Sequence, residues 1–487
     1  MRLLLKDCVI EWFFIREMIS KSIHPKSYLG LPSSFYKKAD PTSFPSLELF
    51  SFNDNLADTF GLEKDTFLSP QGLAFLGGQE ASIAMAYCGH QFGHWSGLLG
   101  DGRARLIGEV ENAGLHYELH LKGAGQTPFS RRGDGRATLG SSIREYLVSE
   151  AMAALGVPTT RSLCVLLTGE RIHRQQTEKG AILCRVARSH VRVGTFEYAS
   201  TLGVDEVRKL ADYSIERLFP DAPADGCQRY AYLLNQVIEK QAQLVAKWMS
   251  FGFIHGVMNT DNMTISSETI DYGPCAFMDE FHPQKVFSSI DRNSRYAWNN
   301  QPAMAHWNCT RFAETLLPLF GETEADQISI AEKELGQFEN LFRKYFHHAM
   351  ADKFGIPKNE DLESFIIASL EMMTEEGVDF TIFFRQLTAL AKGKNGLDAA
   401  FNSAWLAKWK KMSLPSLVPK MAEVNPIRIP RNHQIELAIE AANAGDDSVF
   451  FRLSAALKYP FEESDGFEGF EDAPQQSEIV HATFCGT

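Results

Sequence analysis

His255-Gly-Val-Met-Asn-Thr-Asp261-Asn262, followed nine residues later by Asp271-Tyr-Gly273, is the stretch on which the reading of this chain turns. Asn262 and Asp271 supply oxygen ligands of the kind a hard divalent cation takes, Mg2+ or Mn2+. Upstream, Leu234, Val237, Ile238, Val245, Trp248 and Met249 recur at helical spacing, which predicts an amphipathic helix over 231–249 running into Phe251-Gly-Phe-Ile-His255. Downstream, Met263–Ile265 and Thr269–Asp271 are expected to pair as a short hairpin across Ser266-Ser-Glu268, bringing Asn262 and Asp271 to its open end. An Asx-turn at Asn262 and a turn-initiating Asp271 are the plain alternative.

The same residues follow the order of a kinase catalytic loop. There a His opens the loop, an Asp shortly after accepts the hydroxyl proton, an Asn further on binds metal, and a later Asp-x-Gly gives the second metal ligand. His255, Asn262 and Asp271 fit that order, but the base position is Val257, which cannot take a proton. The carboxylate at hand is Asp261, displaced by four residues. Asp261 is then either the base of a reaction with altered geometry or a holder of the metal's surroundings.

The alternating Glu118-Leu-His-Leu-Lys122 follows Ala104–Val110 across Glu111-Asn-Ala-Gly114, which predicts a small antiparallel sheet, with Gly100-Asp-Gly-Arg103 as a tight turn leading into it. A helix is expected from Ser141 to Leu155, where Ile143, Leu147, Ala151 and Ala154 share a face and Gly156-Val-Pro158 stops the run. Lys122, ending the strand, is placed to meet phosphates, with Glu145 on the helix as its ion-pair partner. Ser142-x-x-Glu145 also reads as a capping box. Gly-Asp-Gly-Arg recurs at 133–136; its glycines let backbone amides approach phosphate and its arginines grip oxygens bidentately, although a bare copy is an ordinary turn. Arg131, Arg132, Arg136, Arg144, Arg185, Arg188 and Arg192 concentrate positive charge locally, which points to a polyanionic ligand.

The chain as a whole is acidic, with a net charge of −13, which argues against a nucleic-acid surface. Its 487 residues, 44% hydrophobic, suffice for two lobes. Eight cysteines without a C-x-x-C pair form neither a zinc framework nor a disulfide scaffold, so a reducing cytoplasm is expected. Asp7 and Glu11 interrupt the apolar N-terminal run, so no export signal is read there, and no later window is apolar enough for a membrane span. The expected organisation is an N-terminal extension (1–29), a small β-containing N-lobe (30–205), a mainly helical C-lobe (206–461) and an acidic flexible tail (462–487). Residues 31–60 read as loops, and Leu335–Tyr345 and Ile435–Ala442 as helices. The fold class is α+β, protein-kinase-like and two-lobed.

At these residues the chain resembles the selenoprotein O family, the YdiU family of bacteria. The likeness runs through Gly89-His-Gln-Phe-Gly93, Leu99–Arg103, His120-Leu-Lys-Gly-Ala-Gly-Gln-Thr-Pro128, Gly133–Arg136, Ser141–Glu145, Arg185–Arg192 and His255–Pro274, and covers residues 30–460. It implies transfer of AMP from ATP, with UTP as a further donor, to Ser, Thr or Tyr hydroxyls of proteins, the nucleotide lying inverted relative to kinases. Carried over by motif, Gly100, Gly102, Arg103, Lys122, Asp134, Gly135, Arg185, Arg192 and Asp271 would contact ATP, and Glu145 would pair with Lys122. Asn262 and Asp271 would hold Mg2+ or Mn2+, and Asp261 would be the base; inversion would account for Val257. Family members often end with Cys or selenocysteine close to the terminus, as Cys485 does, and a regulatory disulfide to Cys275 is one implied possibility. A conventional phosphotransferase and a catalytically silent nucleotide-binding scaffold are the rival readings.

Overall fold

The alternating segment around Lys122 lies at the middle of an antiparallel sheet in the computed structural model, which describes residues 19, 21–174, 176–397 and 401–484. The strands are β1 (Tyr36–Ala39), β2 (Glu48–Phe52), β3 (Ser82–Met85), β4 (Cys88–Gln91), β5 (His94–Leu98), β6 (Ala104–Asn112), β7 (Leu115–Lys122), β8 (Ala137–Thr138), β9 (Arg161–His173) and β10 (Thr177–Ala187). Their order in the main sheet is β1-β3-β6-β7-β10-β9-β2, with β8 paired to β10, while β4 and β5 form a separate hairpin. Ala113 and Gly114, at φ +51° and +76°, close the β6–β7 hairpin in the left-handed conformation that suits strand twist.

Period-two alternation decides which side chains meet the site. Leu119 and Leu121 of β7, with Ile182, Cys184 and Val186 of β10, join an apolar cluster with Leu56, Phe67 and Phe75 from the short helices Asp54–Thr59, Lys64–Leu68 and Pro70–Leu76. Glu118, His120, Lys122 and Arg185 therefore point to the opposite face. The register sets Arg185 beside His120 and Leu183 beside Lys122. On that face runs the helix Leu139–Ala154, and beyond it a mainly helical half whose apolar core is continuous from Leu106 and Leu183 through Val237 and Ile238 to Phe354 and Phe384. Among the described residues no helix is long and apolar enough to cross a membrane.

Several expectations differ from what is observed. Residues 31–60 hold β1 and β2, the two edges of the sheet, rather than loops alone. Gly100–Arg103 is not a hairpin turn, because β5 pairs with β4 while β6 pairs with β3 and β7. The helical run at 335–345 breaks at Gly336–Gln337 between Glu324–Leu335 and Phe338–Phe354. The helices Asn432–Ala444 and Ser448–Leu457 pack against the helix Leu139–Ala154 and β2: Arg144 donates to Asn432 Oδ1 at 3.0 Å, and Phe50 meets Phe450 at 4.9 Å. Within the acidic segment from Glu462, Phe470 packs against the core, as does Phe461 just before it, and Glu471 meets Arg428 (2.9 Å) and Arg385 (3.1 Å). Thr483 donates its amide to Phe287 O at 2.7 Å and its hydroxyl to Pro274 O at 2.6 Å. Most of the N-terminal extension and Cys485 lie outside the described residues.

Candidate active site

Lys122 Nζ donates to Glu145 Oε2 at 2.7 Å and to Asp271 Oδ1 at 2.9 Å. Arg185 reaches the same two acids, Nε to Glu145 Oε1 and Nη2 to Asp271 Oδ1 at 3.4 Å. Two cations and two carboxylates thus close a quartet in which Glu145 is 1% exposed. Burial works to raise both carboxyls. Arg185 and Lys122 overcome it at Glu145, and Lys122, Arg185 and Arg103 overcome it at Asp271, holding that acid well below the usual carboxylate range. Glu145 is not a capping residue: the helix is capped one turn earlier by Thr138, whose Oγ1 accepts the Ser141 amide at 3.2 Å.

Asp271 enters the quartet from a left-handed backbone, φ +65°, which a non-glycine residue adopts only where its surroundings hold it. His255 is one such hold. Its Nε2 donates to Ile270 O at 2.9 Å and its Nδ1 accepts the Val257 amide at 3.3 Å, so a neutral ring satisfies both; burial lowers its pKa. The expected hairpin is absent because each arm finds a partner elsewhere. Val193 N donates to Met263 O and Ile265 N to Val191 O, both at 2.9 Å, while Thr269 exchanges bonds of 3.0 Å with Pro158 and Thr160. The Ser266–Glu268 loop closes on Thr264, whose hydroxyl accepts the Glu268 amide at 3.0 Å. Asn262 spends its Nδ2 on Val257 O at 3.1 Å, so Oδ1 is the atom with which it could hold a cation.

Asp261 lies on the far side of the loop against β4. Arg192 Nη1 donates to its backbone carbonyl at 3.0 Å, and its Oδ1 is buried without a hydrogen-bond partner. Burial pushes its carboxyl up to about 6 against the pull of Arg192. A side chain at Gly89 would put a Cβ 3.1 Å from that oxygen, a tight fit that would press on the Asp261 carboxyl. Two residues that the sequence did not flag pin the loop. Asn259 Oδ1 accepts the Phe92 amide at 2.9 Å and the Tyr296 hydroxyl at 2.7 Å, and Thr260 Oγ1 accepts the His90 amide at 2.7 Å and donates to Glu197 at 2.6 Å.

The two Gly-Asp-Gly-Arg copies are built differently. Gly100, at φ +66°, lies against the Phe129 ring, and Asp101 beside it is buried. In the second copy Gly135, at φ +69°, presses on the Gly125 backbone, and Asp134 takes both Arg174 nitrogens at 2.9 Å. Arg103, Lys122, Arg144 and Arg174 line a cavity of about 800 Å3 whose other walls include Tyr272 and Phe484. Of the residues expected at a nucleotide, Arg103 and Lys122 face this cavity, Arg185 and Asp271 bind around Lys122, and Asp134 is tied to it through Arg174. Gly100, Gly102, Gly135, Arg192, Asp261 and Asn262 are not among its walls. Among the described residues no three His, Cys, Asp or Glu side chains cluster as a metal cage.

Fold and site together define an α+β protein with a cleft lined by Arg103, Lys122, Arg144 and Arg174. A profile of the family described as "Protein adenylyltransferase SelO" matches residues 18–458, and the chain belongs to that family. It is 46% identical over 484 residues to the "Protein nucleotidyltransferase YdiU" of Rhodopseudomonas palustris (strain BisB18), covering 95% of this chain and 98% of that protein. Proteins of the same description from Mycolicibacterium paratuberculosis and Shouchella clausii are each 45% identical, over 96% and 95% of this chain and 100% and 98% of their own.

Proposed function

We propose that this chain transfers AMP from ATP to Ser, Thr or Tyr hydroxyls of proteins within a two-lobed, kinase-like fold, its small lobe at 30–205 and its mainly helical lobe at 206–461. The observation that carries the reading is Asp261. A half-buried carboxyl at about 6, whose Oδ1 is buried and unpartnered, in a loop whose usual base position is Val257, suits a general base aimed at a phosphorus other than the terminal one. In this scheme the hydroxyl oxygen bonds to the α-phosphorus as Asp261 takes its proton, the bond from that phosphorus to the β-bridging oxygen breaks, and pyrophosphate leaves. Lys122 and Arg185 hold phosphate oxygens, with Glu145 fixing both cations in place. Arg103 and Arg174 line the cleft, Asp134 holds Arg174 from behind, and Gly135, Gly100 and Gly102 shape the backbone next to Asp134 and Arg103. UTP presents the same triphosphate and is the competing donor.

Asn262 Oδ1 and the Asp271 carboxylate are the atoms that would hold Mg2+ or Mn2+; an amide and one acid make a sparse set that suits a cation shared with substrate phosphates. Bound there, the ion would offset triphosphate charge. The described cysteines are free thiols, five of them buried, which suits a reducing cytoplasm. ATP labelled at the α- or the γ-phosphate, incubated in parallel with the protein, tests the reading. Label retained on protein from the α-position is expected; retention from γ alone would make this a kinase, and no transfer with intact nucleotide binding would make it a scaffold.

A further inference from the structure

Asp101 sits between the glycines of the first Gly-Asp-Gly-Arg and is 1% exposed. Its two oxygens have different partners. Oδ2 accepts the Met85 amide at 3.1 Å and His120 Nε2 at 3.0 Å, while Oδ1 faces Arg192 Nη2 at 3.4 Å. Arg192 in turn donates through Nη1 to the Asp261 carbonyl at 3.0 Å and lies over the Tyr87 ring at 4.4 Å. The Arg192 backbone is itself fixed at the start of the helix Val193–Leu202, where Thr195 Oγ1 accepts its amide at 3.0 Å. Behind Asp101, His120 stacks on His190 at 4.2 Å, and Glu118 holds His190 through Nδ1 at 2.8 Å and through its amide at 2.6 Å. A buried polar train therefore runs from the inner face of β7 to the catalytic loop.

The geometry points to Asp101 as a positioning residue: through Arg192 it fixes the Asp261 peptide, and so the aim of the base, without touching nucleotide or acceptor. The transferred group is taken from the AMP-transfer reading above, on which this inference rests. A single arginine–carbonyl bond orients little, because the free side chain samples many rotamers. Arg192 is 6% exposed, gripped at one nitrogen by a buried carboxylate and at the other by Asp261 O, so its conformation is set by the protein before substrate arrives.

Asp101→Asn isolates the link. With its carbonyl oxygen kept toward Met85 and His120, the new NH2 meets the Arg192 NH2, donor against donor, so the Arg192 contact alone is lost. With casein as acceptor, kcat for AMP transfer is expected to fall about 10- to 100-fold while KM for ATP stays within about threefold. In an Arg192→Met background the same substitution should change kcat by less than about twofold. Losses that multiply in the double variant, or a single-variant kcat within about twofold of wild type, overturn the inference. Should Asp101→Asn not fold, His120→Gln carries the same claim, with a smaller loss of about 3- to 10-fold that Arg192→Met absorbs; a loss that multiplies there overturns it. Wild-type transfer of γ-label overturns the AMP reading alone, and the cycle is then read on phosphoryl transfer; an inactive wild type overturns both.

Discussion

Glu145→Gln tests the quartet directly. Glu145 Oε2 lies 2.7 Å from Lys122 Nζ, Oε1 accepts Arg185 Nε, and the residue is 1% exposed. Glutamine keeps the volume but removes one charge and turns an NH2 toward one of two buried cations. Breaking one partner out of a buried pair costs about 3–5 kcal/mol. The lower part of that range applies, because Asp271 Oδ1 still accepts from Lys122 at 2.9 Å and Arg185 at 3.4 Å, and its side chain is 22% exposed to solvent. A loss of about 3–4 kcal/mol is expected, a large fraction of the ~5–15 kcal/mol that holds a typical domain. The assay is urea unfolding of wild type, Glu145→Gln, Lys122→Met and the double variant, which should show coupling of about 1–2 kcal/mol because the double removes charges of both signs. Activity should fall further than stability explains, since the two cations would hold Asp271 more tightly and raise the metal concentration required for transfer. Additive stability losses, or a single variant within about 0.5 kcal/mol of wild type, would refute the argument that Glu145 fixes both cations.

Lys353 supplies a pH test elsewhere in the core. Its Nζ lies over the rings of Phe384 (4.3 Å), Phe251 (5.4 Å) and Phe380 (5.7 Å), and burial pushes the amine down to about 7. The unfolded chain keeps that proton to about pH 10.4, so between about pH 7 and 10 the unfolded state binds more protons and stability rises with pH. Wild type should therefore gain up to ~1.4 kcal/mol per pH unit relative to Lys353→Met in urea midpoints; parallel profiles would sink this. Gly135→Ala, with φ +69° and a Cβ driven into the Gly125 backbone, should lose more than ~1 kcal/mol and raise KM for ATP more than it lowers kcat, as the Asp134–Arg174 wall shifts; an unchanged KM would show that this wall does not meet nucleotide.

What the sequence made legible depended on how far each feature relies on partners distant in the chain. Glu118-Leu-His-Leu-Lys122 carries its own instruction, since alternation alone sends Lys122 to one face and Leu119 and Leu121 to the other. The helix read over 231–249 is observed at Gly226–Ser250, where a long apolar stripe outweighs local ambiguity at either end. β1 and β2 are too short for periodicity to register, because edge strands need pairing on one side only. The hairpin expected after Asn262 failed because its arms bond to residues 158–160 and 191–193, which no local pattern reveals. Asp101 and Arg192 stand 91 residues apart in sequence, and their contact exists only in the folded chain. The alternation that turned Lys122 inward does the same for His120 and Glu118, so that part of the train could have been found from sequence.

The twin motifs show why partners outrank pattern. Asp101 and Asp134 occupy the same place in identical tetrapeptides, yet Asp101 is 1% exposed while the Asp134 side chain is 48% exposed. The first faces inward to Arg192 and through it the Asp261 carbonyl, the second outward to Arg174 and the cavity. A common logic nonetheless runs through both. Lys122, Arg144, Arg174, Arg185 and Arg192 each meet a carboxylate of this chain. Cations paired in this way are held at fixed positions without mutual repulsion, so a polyanion entering the cleft that Lys122, Arg144 and Arg174 line would meet a prearranged set rather than gather mobile side chains, which lowers the ordering cost of binding. The acidic balance of the chain is thus compatible with a polyanion site, because acids that would by charge alone oppose such a ligand are the groups that hold the cleft's cations in place.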